Sequence, residues 1–422
     1  MLICEEMHDT DRPPPGVHYA WVIVGTGTLC ILAGLGFGRF ALGMLLPSMA
    51  SSLGLTYAQL GYISTGNFVG YLAAVLACGP LAARMGARAL IFGALLLVGV
   101  SMLLLGRATS FAPLLALYVI TGFGSGATNV PMMGLIARWF GGRARGRAAG
   151  FAAIGSGFGI VASGQLVPWI GRLHGGEGWR TSWAVLGACV LAVAILAGLL
   201  LRNSPGSMGL LPHGAVPRTG AVLPVSSAEP RRAPGRRPIV LLSIAYALFG
   251  YTYAIYVTFI VTALVRERGF SEATAGDFWS RVGLLSLLSG PVFGALSDRL
   301  GRRAGLMLVF ALQMVAYLLA VGNLPEAYLH LSIVLFGVSA WSVPTIMIAA
   351  VADYVGAERA LGTFGVVTFI FALGQIAGPS VAGMLAERTG TFSSSFAMAA
   401  ILCAVAVAVS AQLRRPGEGG AG

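Results

Sequence analysis

Residues 294–303 read GALSDRLGRR, and residues 79–88 read GPLAARMGAR. Overlaid at an offset of 215 residues, the decamers match Gly79 with Gly294, Arg84 with Arg299, Gly86 with Gly301 and Arg88 with Arg303. They part at two charged positions. Ala83 stands where the second copy has Asp298, and Ala87 stands where it has Arg302. A second pair, RAAG at 147–150 and RALG at 359–362, recurs at 212 residues. Two separate matches at nearly one offset are the mark of a duplicated unit. Each decamer is a charged interruption between two apolar runs.

Those runs are long. The chain has 422 residues, of which 57% are hydrophobic and 10% charged, whereas a soluble domain carries about 25% charged residues. A bilayer core about 30 Å thick is crossed by about 20 apolar residues in a helix. Such runs lie near 19–46, 57–82, 89–106, 112–137, 148–170, 181–201, 239–265, 273–297, 304–322, 328–352, 361–386 and 392–413. Strands of a membrane barrel would alternate apolar and polar residues over about ten positions. These runs are continuously apolar, so helices are predicted. The expected fold is an all-α membrane protein with twelve transmembrane helices in two six-helix pseudo-repeats. The 60 glycines fit helices that approach closely in lipid.

The halves are predicted at 19–201 and 239–413, with tails at 1–18 and 414–422. Between them, residues 202–238 are rich in proline and arginine and lack an apolar face, which predicts a flexible linker. All 27 basic residues are arginines. Arg107, Arg172, Arg180, Arg266, Arg268 and Arg388 fall in loops on one side, Arg39 and Arg281 fall inside apolar runs, and the other nineteen fall in loops and tails on the linker side. That bias puts both termini and the linker in the cytoplasm. It accounts for the net charge of +12 without a nucleic-acid partner. The first sixteen residues lack the basic segment of a secretory signal. Cys4, Cys30, Cys78, Cys189 and Cys403 form no metal-type pair and read as small apolar residues. GTG (25–27), GFGSG (122–126) and GSGFG (155–159) lie inside apolar runs, not between strand and helix, so they read as packing sites and not nucleotide loops. No Walker motif and no catalytic constellation appears. Neither cofactor nor enzymatic activity is expected.

The intact decamer resembles the loop signature of the major facilitator superfamily, which Gly294, Asp298, Arg299, Gly301, Arg302 and Arg303 fill at every position. The resemblance, with twelve helices and a central linker, covers nearly the whole chain. It implies secondary transport by alternating access, with the first, fourth, seventh and tenth helices lining the path. It also implies that these loops, including Arg84 in the first copy, latch the cytoplasmic helix ends in the outward-open state. Ala83 suggests a weaker latch in the first half. Residues 16–25, GVHYAWVIVG, resemble the first-helix entry of monocarboxylate porters and oxalate–formate exchangers at Tyr19, Ala20 and Trp21, though not at Val17 and His18. Trp139, Phe140, Arg143, Gly150, Ala152, Gly155 and Gly159 match the monocarboxylate signature around the fifth helix, with one extra loop residue. GFGRFALGMLLPSM (36–49) is similar to the YbfB/YjiJ-like bacterial permeases.

Two ionisable residues lie inside the eighth run, in DFWSRVGLLSL (277–287). With Ser271 as helix cap, a rise of about 1.5 Å per residue places Arg281 about 15 Å below it. Asp277 shares its face, four residues earlier, in the favoured order. A charge at that depth is a functional candidate. Guanidinium offers a planar fork that suits a carboxylate. Arg281 is thus a candidate substrate ligand, with Asp277 its partner in the empty site and the carrier of a coupled proton. The resemblance to monocarboxylate porters implies the same pair, and the alternative is a structural ion pair. Arg39 follows Trp21 by eighteen residues, where vertebrate monocarboxylate porters place a functional lysine. It reads either as a substrate or gate residue or as an anchor snorkelling to the surface. Tyr118, Asn129, Tyr253 and Trp341 are further candidate ligands, each weighed against a helix-packing role. The five histidines fall near loops, tails or helix ends, so no histidine relay is expected.

The sequence therefore predicts a monomeric secondary transporter of the inner membrane that moves a small organic anion, a monocarboxylate for choice, with protons. A drug or sugar antiporter of the same fold and a non-transporting sensor or scaffold are the alternatives. A cysteine introduced at Ser226 is expected to resist an impermeant thiol reagent applied to intact cells. Labelling from outside would refute the predicted orientation.

Overall fold

The computed structural model describes residues 18–142, 144–214, 236–322 and 324–413. The predicted tails up to residue 17 and from residue 414, the centre of the linker at 215–235 and Arg143 lie outside them. The helices are α1 (Ala20–Leu53), α2 (Tyr57–Met85), α3 (Ala87–Leu105), α4 (Phe111–Trp139), α5 (Ala144–His174) and α6 (Gly178–Leu200). The second half has α7 (Arg236–Glu267), α8 (Glu272–Leu300), α9 (Arg302–Ala320), α10 (Glu326–Val355), α11 (Ala357–Thr389) and α12 (Ser393–Ala411).

Ten stretches among the described residues are long and apolar enough to cross a membrane. This differs from the twelve predicted spans at two places. Ala144–Leu200 counts as one stretch, because only a short 3-10 turn, Gly175–Glu177, separates α5 from α6. Helix α8 is not among the ten; it carries Asp277, Arg281 and several serines.

The duplicated decamer has a backbone cause. Gly86 links α2 to α3 with φ +79° and ψ 155°, and Gly301 links α8 to α9 with φ +91° and ψ 152°. One residue turns the chain from helix to helix, in a region of conformation essentially restricted to glycine. Around it the two copies lock differently. In the second, Arg302 pairs with Asp298 and donates to Asp353 at 2.7 Å and to Ser297 Oγ at 2.8 Å. That ties the ends of α8, α9 and α10 within one half. In the first, both Asp298 and Arg302 have alanine counterparts. There Arg88 Nε donates to the Gly198 carbonyl at 3.0 Å, and its backbone N–H donates to Asn203 Oδ1 at 2.9 Å. Gly294 lets α8 approach Thr345 of α10, whose methyl would lie 3.2 Å from an added Cβ. Arg84, Arg299 and Arg303 are exposed.

The linker is not irregular throughout, as the sequence led one to expect. Pro205–Met208 forms a 3-10 turn. His213 donates its N–H to the Trp139 carbonyl at 2.9 Å and accepts from Gly141 N–H at 2.9 Å. Its ring lies 5.5 Å from Phe140 and 5.0 Å from His18. Burial, and then the charge of His213, lower the His18 pKa. Residues 236–238 already belong to α7.

The bundle has a linker end and a far end, and the halves meet in the far half of the molecule. The hydrogen bonds between them run from Ala58 N–H to Glu387, between Ser64 and Thr258 (2.9 Å), from Thr65 to the Ile376 carbonyl (2.8 Å), from Gln165 to Asp277 and Ser280, and from Ser280 to the Val161 carbonyl. All of these residues lie in the far halves of their helices. Glycines make the approach possible. A Cβ on Gly61 would strike the Pro379 carbonyl, and a Cβ on Gly43 would lie 2.7 Å from the Val257 carbonyl. Toward the linker end, apolar side chains of α2 and α11 lie open, Leu76 at 64% and Leu361 at 83% exposure.

Gly61→Ala is therefore expected to open the far end. Overpacking of this kind costs about 1–3 kcal/mol, enough to move a two-state population about fivefold or more. Spin-label distances between the far ends of α2 and α11 should lengthen; an unchanged distribution would refute the gating role of this contact.

Candidate substrate site

Helix α1 departs from α geometry in its middle, where Leu32–Phe40 (LAGLGFGRF) winds as a π-helix. Wide turns of this kind gather at functional sites. The stretch is glycine-rich because α1 is wedged between α4 and α5. A Cβ on Gly34 would lie 3.2 Å from Thr128, on Gly36 2.6 Å from Gly159 Cα, and on Gly38 2.9 Å from Ser125 Oγ. The sequence-predicted packing role of GFGSG and GSGFG is visible here. Gly124 and Gly126 face α3 and α2, and Gly155 and Gly159 face α1.

The π stretch delivers Arg39 into the bundle. Its guanidinium lies 4.2 Å from the Phe68 ring centre and 4.8 Å from that of Tyr71. Its Nε and Nη2 are buried and have no hydrogen-bond acceptor. Cation–π contact offsets desolvation by about 2 kcal/mol, and a buried donor left unmatched costs about 1–3 kcal/mol. The snorkelling alternative is not what the structure shows, since aromatic rings hold the group in place. The Tyr118 hydroxyl donates to the Arg39 carbonyl at 2.9 Å. Beside the guanidinium is a pocket of about 10 Å³ whose lining includes Ser64, Asn67, Tyr118 and Thr258, room for one water-sized group.

The other candidates fall around this point. Asn129 donates to the Tyr71 hydroxyl at 2.8 Å. Phe40 packs against Trp341 with ring centres 5.5 Å apart, and Trp341 against Tyr253 at 5.4 Å. Trp341 sits where α10 breaks between Ser339 and Ser342. Ser289 of α8 accepts the Trp341 N–H at 3.1 Å. The Trp341 indole Nε1 is buried without an acceptor. Arg39, Asn129, Tyr253 and Trp341 are thus brought together, while Tyr118, its hydroxyl committed, positions the Arg39 backbone. Phe40, Phe68 and Tyr71 were not read from the sequence. For Phe68 and Tyr71 the signal was their spacing with Asn67 along one face of α2.

Asp277 and Arg281 are placed elsewhere. Trp279 faces α1, its ring 3.7 Å from where a Gly43 Cβ would be. At 100° per residue, Asp277 and Arg281 lie on the opposite face of α8, in one exposed stripe with Leu284 and Leu288. The predicted ion pair between them is not formed. Asp277 accepts from Gln165 Nε2 at 3.0 Å. The longer Arg281 side chain reaches His330, Nη1 to Nδ1 2.9 Å, and His330 Nε2 lies 3.4 Å from Glu326. Since guanidinium only donates, His330 Nδ1 accepts. The partners come from α5 and α10, so spacing along α8 did not reveal them. Ser271 caps α8 as predicted, accepting from Thr274 N–H at 3.1 Å.

A family model described as "Uncharacterised MFS-type transporter YbfB" matches residues 31–411. The chain belongs to this family. It is a major facilitator transporter and not an enzyme. Among its relatives, a probable sulfoacetate transporter, SauU of Cupriavidus necator, is 23% identical over 91% of this chain and 92% of its own length. Human monocarboxylate transporter 2 is 25% identical over 90% of this chain and 82% of its own length. The fold matches the crystal structure of a bacterial homolog of the human lysosomal transporter Spinster, inward-facing and unoccupied, with a TM-score of 0.72 at 18% identity. The match covers 94% of this chain and 97% of that one.

Proposed function

We propose that this family member is a secondary transporter of a small organic anion, a monocarboxylate for choice, and that Arg39 holds the carboxylate. The carrying observation is the Arg39 guanidinium, two of whose nitrogens are buried and unmatched beside a pocket. A carboxylate oxygen supplies the missing acceptor. The names of the relatives, a sulfoacetate and a monocarboxylate transporter, support an anionic substrate. Phe40, Tyr253 and Trp341 would face the body of the molecule. The protein is expected to work as a monomer in the inner membrane, with both termini cytoplasmic.

Alternating access fits a bundle whose hydrogen bonds between the halves, among the described residues, lie in the far half. Proton symport is the favoured coupling, with Asp277 as carrier. Its bond from Gln165 crosses between the halves. A charged acceptor makes the stronger bond, so protonation of Asp277 would loosen the far-end contact. The second decamer, with Asp298 and Arg302, would stiffen the linker end of the second half during this motion.

Proteoliposomes and a panel of labelled short carboxylates test the reading. Arg39→Lys keeps the charge and loses the fork, so binding is expected to weaken about ten- to hundredfold. Arg281→Lys should bind normally. If the two results are reversed, the carboxylate site lies on α8. If no carboxylate binds and a sugar or cationic drug does, the anion reading fails. Asp277→Asn should bind substrate and exchange labelled for unlabelled, yet fail to accumulate it against a gradient. Accumulation by this variant would exclude Asp277 as the proton carrier.

A further inference from the structure

A second cavity lies away from the Arg39 site, on the outer flank of the first half. At the far end, between α3 and α6, a groove of about 300 Å³ is lined by Val100, Leu103, Leu104, Ala184, Arg107 and Arg180. Glycines let α3 and the chain after it pack closely against α6 beside the groove. A Cβ on Gly106 would lie 2.7 Å from the Arg180 carbonyl, and a Cβ on Gly99 2.6 Å from Leu191. The apolar wall continues along α3 as Leu97, Val100 and Leu104, exposed at 39, 48 and 41% and spaced by three and four residues. That stripe faces outward, where acyl chains would lie.

The rim is cationic where this protein otherwise avoids cations. Only six of 27 arginines fall in the loops of this end, and two of them, Arg107 and Arg180, border one groove. Arg180 is fixed. Its Nη1 donates to the carbonyls of Gly106 (3.2 Å) and Ala108 (2.6 Å), its Nε pairs with Glu177, and its guanidinium lies 4.2 Å from the Trp179 ring centre. Arg107 is exposed, and its side chain has no partner among the described residues. Glu177 takes up much of the Arg180 charge, so Arg107 is the free anion contact. An apolar stripe ending in an unmatched guanidinium at the membrane edge is complementary to one class of molecule, a lipid with an anionic head.

We propose that the groove binds an anionic phospholipid of the leaflet at this end, its phosphate at Arg107 beside Arg180 and one acyl chain along Leu97, Val100 and Leu104. The site is independent of the Arg39 reading. Purified full-length protein is compared by thermal unfolding in detergent with added phosphatidylglycerol, phosphatidylcholine, glycerol phosphate or inorganic phosphate. Phosphatidylglycerol is expected to raise the midpoint by about 2–4 °C, and the other three to raise it less than half as far. Arg107→Gln should lose most of the shift. Leu104→Trp, which fills the apolar wall without touching a charge, should lose it too. An equal response to phosphatidylcholine would overturn the charge recognition. An equal response to glycerol phosphate or inorganic phosphate would make this an ion site and not a lipid site. A full shift retained in both variants would place the lipid elsewhere.

Discussion

The closeness of α1 to α4 and α5 is the constraint on which the site depends. Gly34, Gly36 and Gly38 on one side, and Gly155 and Gly159 on the other, bring backbones to distances that a side chain would forbid. In lipid, helices gain little from burying apolar surface against one another, so such packing contacts carry much of the association. The wedge position of α1 is accompanied by a π-helical stretch. At its end a guanidinium is held at mid-bundle by the faces of Phe68 and Tyr71. Without the glycines α1 would stand further out, and Arg39 would have water or lipid headgroups within reach.

The same chemistry serves the contact between the halves, with a different consequence. Gly43, Gly61, Gly164, Gly276 and Gly383 let α1, α2 and α5 meet α7, α8 and α11 across the far half. Few of the bonds there involve charge. The exceptions are Glu387 with Ala58 N–H and Asp277 with Gln165. An interface made of close backbone contacts and a few polar bonds can separate without leaving many buried charges unmatched. That property suits a protein proposed to alternate between open ends.

The two copies of the decamer show how a duplicated unit drifts. The glycine that turns the chain is kept in both, because its backbone conformation admits no other residue cheaply. The charged pair is lost as a pair: Ala83 and Ala87 replace both members of the Asp298–Arg302 bridge. Losing one member alone would leave a partner uncompensated. Arg88 instead serves the carbonyl of Gly198 at the end of α6, so the first half has its own tie and is not simply a weakened copy. The exposed pair in the second half, with Asp298 63% exposed, is worth little as stability; its value lies in geometry.

By itself the sequence determined the membrane environment, the helical class, the helix cap at Ser271 and the family. These follow from composition, run length and repeats, all of which are properties of neighbours along the chain. It also singled out Arg39, Asn129, Tyr253 and Trp341, since polar or amphipathic residues in apolar runs are costly and therefore visible. Tertiary structure alone decided which of them meet. Asp277 and Arg281 look like partners because they are four residues apart on one helix. Yet Gln165 and His330, more than forty positions away, compete for them, and helix rotation turns their stripe away from α1. Periodicity gives the relative angles of residues on a helix and not the absolute direction of any face. That direction is fixed by packing, here by Trp279 against Gly43 and by Gly164 against Gly276, and with it the side of α8 that can see the substrate path.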